Sequence, residues 1–100
     1  MPFLCYCIDA PNSAEKRQKA LASHFAYIEN IIDQIEVAGP LRDKAGAIPL
    51  GSCLVYRTDD RETALALLHQ DPYYQAGVWK EVICQQFSAA AGNWVGGKTW

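Results

Sequence analysis

One hundred residues, half of them hydrophobic and 20% charged, describe one folded domain well clear of a disordered chain. The net charge is −2 and no basic cluster stands out, which argues against nucleic acid or an anionic membrane surface as the main partner. No apolar run nears the roughly 20 residues of a membrane helix, and the start Met1-Pro2-Phe3-Leu4-Cys5-Tyr6 has neither a basic leader nor a small-residue cleavage site.

Phe3 to Asp9 reads as a strand apolar on both faces, with Phe3, Cys5 and Cys7 on one side and Leu4, Tyr6 and Ile8 on the other. Asn12 then offers a helix cap, with Glu15 three residues on as its capping-box partner. The helix is predicted to run to about Glu36, on a stripe of Leu21, Phe25, Ile28, Ile32 and Ile35. Val37-Ala38-Gly39-Pro40 ends it. A short edge strand is expected around Ala38 to Arg42, then a loop through Asp43-Lys44-Ala45-Gly46, then a strand from Gly51 to Thr58. Asp59, followed by Glu62, caps a second helix that carries Leu65, Leu67 and Leu68 and stops before Pro72. The chain turns through Asp71-Pro72-Tyr73-Tyr74-Gln75-Ala76-Gly77-Val78. It re-enters as a strand from Trp79 to Phe87, with Trp79, Ile83 and Phe87 on one face and Val82 and Cys84 on the other. Residues 88–100 form an Ala- and Gly-rich tail whose Trp94 and Trp100 suit packing on a second subunit.

The order β-α-β-β-α-β with right-handed crossovers is a ferredoxin-like α+β fold, an antiparallel sheet with both helices on one face, in a single domain over residues 1–100. The other face of the sheet is then bare yet apolar. A second copy stacked on it in a twofold homodimer is the simplest cover. The cysteines Cys5, Cys7, Cys53 and Cys84 contain no Cys-x-x-Cys and lie in strand-like runs. They read as buried free thiols rather than a disulfide framework or zinc site, which suits a reducing cytoplasm.

Few residues offer chemistry. His24 falls about 60° from Leu21 and about 40° from Ile28 around the first helix, at the margin of the predicted stripe. It is either a helix-margin histidine bonded locally or an acid/base group that titrates near neutrality. Arg17, almost two turns earlier, projects from the same side; it is either solvated or positioned to hold a carboxylate or enolate oxygen with both arms of its fork. Asp71 is either a turn residue before Pro72 or the acceptor that orients His24. Of the two tyrosines that follow, one packs under the loop and the other offers its hydroxyl to a ligand. His69 is expected to be exposed, and a metal triad of His24, His69 and Asp71 has no spacing motif behind it. No phosphate loop, no nucleophile elbow and no cysteine nucleophile are visible.

Taken together, Glu15-Lys16-Arg17, His24-Phe25, Ala38-Gly39-Pro40, Gly51-Ser52, Asp71-Pro72-Tyr73 through Ala76-Gly77-Val78, and Phe87 resemble the YciI-like (YCII-related) family in order and spacing. The resemblance implies a dimeric α+β barrel and an active site built from a histidine on the first helix and an aspartate after the second, here His24 and Asp71. Some members are associated with dehydrochlorination of chlorinated aromatics. Leu21, Ala22 and Ser23 stand where many members carry a basic residue and a proline, and the loop after Pro40 is shorter than in many. The expectation is an enzyme that uses a His–Asp pair, without metal or organic cofactor, for elimination, isomerisation or dehydrochlorination of a small, cyclic or aromatic-derived molecule. Arg17, Ser52 and Tyr73 would bind its oxygens. The alternatives are a non-catalytic small-molecule binding module and a structural dimerisation domain.

Overall fold

The structure, a computed structural model that describes every residue from Met1 to Trp100, begins with β1 over Phe3–Asp9. Strand geometry sends successive side chains to opposite faces. Phe3, Cys5 and Cys7 are accordingly buried, while Tyr6 is exposed on the other side. There follow α1 (Ser13–Asn30), a 3₁₀ turn (Ile32–Gln34), β2 (Ile35–Arg42), β3 (Pro49–Tyr56), α2 (Arg61–His69), the short α3 (Pro72–Gln75) and β4 (Trp79–Gln86). The four strands are antiparallel in the order β2-β3-β1-β4, the ferredoxin-like arrangement.

The core is one layer between sheet and helices. Phe3, Cys5, Cys7, Leu54, Tyr56 and Cys84 meet Ala20 and Ile31 of the first helical segment and Ala64, Leu67 and Leu68 of α2. The opposite sheet face carries Leu4, Tyr6 and Ile8, with Val37, Cys53 and Ile83 beside them in register. Tyr6 is 43% and Ile83 46% exposed there.

Helix α1 departs furthest from the sequence expectation. Asn12 has left-handed backbone, φ 62°, and makes no side-chain cap bond, so the expected capping box with Glu15 is absent. Asparagine tolerates that conformation better than most residues. The helix ends at Asn30 instead of near Glu36 because the following residues are claimed by the sheet. Ile35 pairs with Tyr56, and Arg57 N–H donates to the Gln34 carbonyl at 2.7 Å. Non-local pairing overrides local periodicity.

The buried face of the helix is also displaced by one residue from the predicted stripe. Ala20 and Ile31 are buried and His24 and Tyr27 partly so, whereas Leu21, Phe25 and Ile32 are 40%, 56% and 57% exposed. The inward series Arg17, Ala20, His24, Tyr27, Ile31 still has helical spacing, but polar groups with dedicated partners supply much of it. Tyr27 Oη, for instance, donates to the Leu67 carbonyl at 2.6 Å.

The remaining boundaries shift for local reasons. β2 starts at Ile35 and β3 at Pro49, earlier than predicted. A Cβ on Gly51 would stand 2.2 Å from the Cys7 carbonyl oxygen, so only glycine lets β3 approach β1 there. Asp60, not Asp59, caps α2 by accepting from Thr63 N–H at 3.2 Å; Asp59 pairs with the chain's amino terminus. In β4, Glu81 pairs with Ile8 and Trp79 with Asp9, a register shift that leaves Lys80 as the extra residue. The bulge turns Trp79 toward the helices, where it is buried, while Ile83 stays on the bare face. The predicted shared face of Trp79 and Ile83 is therefore wrong. Past β4 the tail folds into a small hairpin, β5 (Ala91–Gly92) and β6 (Gly97–Lys98), with Trp94 and Trp100 strongly exposed.

Candidate functional site

The site is assembled at the corner after α2. Pro72 lacks an N–H and its ring is incompatible with a continuing helix, so α2 closes before it and α3 restarts with proline in its first turn. Asp71 occupies the cap position of α3. Its Oδ1 accepts from Tyr73 N–H at 2.9 Å and lies 2.7 Å from His24 Nδ1. The turn is completed by Gly77 at φ 74°, a left-handed conformation suited to glycine, and Lys16 Nζ donates to the Gly77 carbonyl at 3.3 Å.

Asp71 is fully buried, and its Oδ2 has no hydrogen-bond partner. A carboxylate accepts hydrogen bonds, so in the neutral imidazole Nδ1 of His24 carries the shared hydrogen and Nε2 keeps a lone pair. The Tyr73 ring stacks under the imidazole, with centroids 3.8 Å apart and planes 6° apart, and Trp79 meets Tyr73 edge-on at 6.0 Å. Imidazole orientation is thus held by a hydrogen bond at one edge and a ring beneath it.

A second buried pair lies one helical stretch earlier. Arg17 donates through Nε to Asp9 Oδ2 at 2.8 Å and through Nη2 to Asp9 Oδ1 at 2.9 Å. Nη2 also reaches the Gly51 carbonyl and Ser52 Oγ, each at 3.0 Å, and the guanidinium carbon stands 5.2 Å from the Tyr73 ring centroid. Burial alone would lower the Arg17 pKa, but the Asp9 hydrogen bonds and charge outweigh it and raise it. Burial likewise raises the Tyr73 phenol pKa, with Arg17 acting in the opposite direction. Trp79 Nε1 donates to Ser52 Oγ at 3.2 Å, so the two pairs are joined through Ser52, Trp79 and Tyr73.

A cavity of about 550 Å³ opens between α1 and the β2–β3 half of the sheet. Leu21, Phe25 and Ile28 form its helix wall, and Ala38, Pro40 and Leu54 its floor. This is why the most regular apolar stripe of α1 is only half covered: it faces a cavity. His24, Arg17, Ser52, Tyr73 and Trp79 close one end, and Arg42 from the end of β2 lines it as well.

All five residues named from sequence, His24, Asp71, Arg17, Ser52 and Tyr73, therefore meet at this corner. Two readings change. Arg17 is not a two-armed anion holder waiting for substrate, because Asp9 already occupies its fork. His24 lies near the centre of the inward face, not at its margin. Asp9 and Arg42 escaped the sequence reading. The available signals were an acid ending a buried strand eight residues before Arg17, and a cation two residues beyond Pro40 on the same strand face. His69 packs at a tilt against Tyr74 with centroids 4.6 Å apart and lines a separate cavity with Leu65 and Lys80, so the His24–His69–Asp71 triad is not assembled. No three His, Cys, Asp or Glu side chains are grouped to hold a metal ion. Cys5 and Cys84 are cross-strand neighbours with sulfurs 3.3 Å apart, and burial pushes the Cys7 thiol up to about 12. None of the four free thiols lines the main cavity.

The sequence profile of the YCII-related domain matches residues 1–88, almost the whole of the fold just described. The chain belongs to this family. Protein YciI of Escherichia coli O6:H1 is 30% identical over 94 residues, covering 87% of this chain and 96% of the relative, and an uncharacterised protein of Haemophilus influenzae is 28% identical over the same extent. Among solved structures, 5-chloro-2-hydroxyhydroquinone dehydrochlorinase (TftG) of Burkholderia phenoliruptrix, in complex with 2,5-dihydroxybenzoquinone, superposes with a TM-score of 0.78 at 27% identity. That match covers 93% of this chain and 97% of the other. The likeness covers nearly the whole fold.

Proposed function

We propose that the protein is an enzyme of the YCII-related family in which His24 and Asp71 carry out general acid/base chemistry on a small planar molecule, cyclic or aromatic-derived. The observation that carries this reading is the His24 Nδ1–Asp71 Oδ1 bond at 2.7 Å, made by a fully buried carboxylate to a histidine that lines a cavity. With Nδ1 committed, Nε2 is the nitrogen available to take a proton from carbon or oxygen, and Asp71 stabilises the imidazolium that results. Elimination, isomerisation or dehydrochlorination needs only such a proton transfer. The dehydrochlorinase named for TftG and its dihydroxybenzoquinone complex support a substrate of similar size and shape. Apolar walls of Leu21, Phe25 and Leu54 suit a flat ring, and Arg17, Arg42, Ser52 and Tyr73 suit its oxygens.

The same reading includes a second copy of the chain. The bare sheet face bearing Tyr6 and Ile83 suits stacking in a twofold homodimer, and the exposed Trp94 and Trp100 suit docking of the tail on that copy. Free thiols in three of the four strands suit a reducing cytoplasm. The alternative, a module that binds a small molecule without converting it, uses the same cavity and differs only in turnover.

The test is a thermal-shift screen of hydroxyquinones, chlorinated hydroquinones and cyclic enones, followed by mass spectrometry of each stabilising compound after incubation. The enzyme reading expects a product that disappears in His24→Gln and Asp71→Asn while both variants stay folded. Stabilisation by a compound recovered unchanged would favour the binding module.

A further inference from the structure

We propose that the Ser52 hydroxyl is an obligatory hydrogen-bond donor to the substrate, holding the oxygen on which negative charge gathers as His24 removes a proton. This deepens the acid/base reading of the cavity and rests on it. Ser52 is 6% exposed and lines the cavity. Its Oγ accepts from Arg17 Nη2 at 3.0 Å and from Trp79 Nε1 at 3.2 Å. Neither a guanidinium nor an indole N–H can accept, so both contacts have the same polarity and together use both lone pairs of the hydroxyl. Ser52 keeps one proton to donate, and no protein acceptor receives it. A buried donor is disfavoured without an acceptor, so the group that satisfies it belongs to whatever fills the cavity.

The neighbouring charge supports the same role. Arg17 is paired with Asp9 through Nε and Nη2. The corner therefore presents fixed dipoles and one ion pair rather than a bare cation. Such a site stabilises negative charge on an oxygen placed against it. His24 lies close by: Ser52 bonds Trp79, Trp79 packs edge-on against Tyr73, and Tyr73 stacks on His24.

The ligand class that fits is a conjugated carbonyl compound or phenol, such as an enone, a quinone or a hydroxyquinone. In the step implied, the Nε2 lone pair of His24 takes a proton from a saturated carbon next to the carbonyl, as in a cyclic enone or the keto tautomer of a phenol. The released C–H electron pair forms a carbon–carbon double bond, and the C=O pair moves onto oxygen, which accepts from Ser52. Collapse of this enolate either takes the proton back at a different carbon or expels a leaving anion such as chloride. In the second case the imidazolium passes its proton to solvent.

The probe is 4-nitrophenol, whose bound ionisation state is read from its phenolate absorbance. At a pH below its solution midpoint, the wild-type protein should bind it saturably and enrich the phenolate form. Ser52→Ala should weaken phenolate binding about 10- to 100-fold, the range for losing a hydrogen bond to a charged group. Ser52→Cys, a weaker donor, should fall between the two. Thermal unfolding checks that the variants are folded, and Ser52→Cys carries the test if Ser52→Ala is not. Equal phenolate binding in wild type and Ser52→Ala would overturn the Ser52 assignment and leave the acid/base reading standing. No saturable binding by wild type, indistinguishable from a Leu21→Trp variant that fills the cavity, would overturn both.

Discussion

Two buried carboxylates tie α1 to the rest of the molecule, and they are completed differently. Asp9 gives both oxygens to Arg17, which extends the same fork to Gly51 and Ser52. Asp71 gives one oxygen to His24 and to the Tyr73 amide, and its other oxygen has no partner. The first pair is closed: each charge is matched within the protein, and its chief product is a fixed geometry. The second is open, since the histidine keeps one nitrogen for the cavity. The comparison separates a charge pair matched on every side within the protein from one that leaves a ring nitrogen to the cavity, although both sit on the inward face of one helix.

The largest expected effect falls on the open pair. His24→Gln and Asp71→Asn should each reduce turnover of the substrate found by screening by about 10²- to 10⁴-fold. The double variant should be little worse than either single one, because the two act as a unit. Additive losses in kcat would break the comparison.

Asp9→Asn should act mainly on stability. It leaves Arg17, 11% exposed, without its counter-charge, and breaking a buried pair costs about 3 kcal/mol. In a domain of this size the midpoint should fall by more than about 10 °C. An Asp9→Asn protein as stable as wild type would mean that the closed pair does not anchor α1.

A smaller effect appears in alkali. The Cys7 thiol is pushed from 9.0 to about 12, mostly by burial. Between those limits the unfolded chain has lost this proton and the folded chain still holds it, so folding stability should fall as pH rises through the window. Below about pH 9 the contribution is complete. Urea melts between pH 8 and 12 check the slope, and Cys7→Ala should make it shallower but not flat, since burial also raises Cys5, Cys53 and Tyr56.

The smallest effects compare two tyrosines. Tyr27→Phe removes the hydroxyl that donates to Leu67 and should lose about 1 kcal/mol. Tyr56→Phe removes a buried hydroxyl without a partner and should leave denaturant stability unchanged or raised. Equal losses would mean that Tyr56 and Asp71 share an undetected bridge.

The order of elements was legible because strand patterns, Gly–Pro stops and the Asp-Pro corner act locally. The inward face of α1 was not. Hydrophobic spacing marks Leu21, Phe25, Ile28 and Ile32, yet part of that stripe lines a cavity. The buried series uses an alanine for close approach and lets His24 and Tyr27 in through partners remote in sequence. The end of α1 was misplaced because pairing of Ile35 with Tyr56 is invisible to periodicity. His24, Asp71, Ser52 and Tyr73 could be named from local chemistry and family resemblance. That Asp9 occupies Arg17's fork depends on how β1 and α1 meet in space, and no spacing rule reports it.

The central claim is that Asp71 holds His24 with Nδ1 protonated and Nε2 free. Nitrogen-15 NMR of the imidazole, through long-range couplings to its ring protons, reads this directly in mildly alkaline solution without any substrate. The account predicts an Nδ1–H tautomer for His24 in the wild-type protein and loss of its dominance in Asp71→Ala. An Nε2–H tautomer in the wild type, or the same tautomer in both proteins, would contradict it.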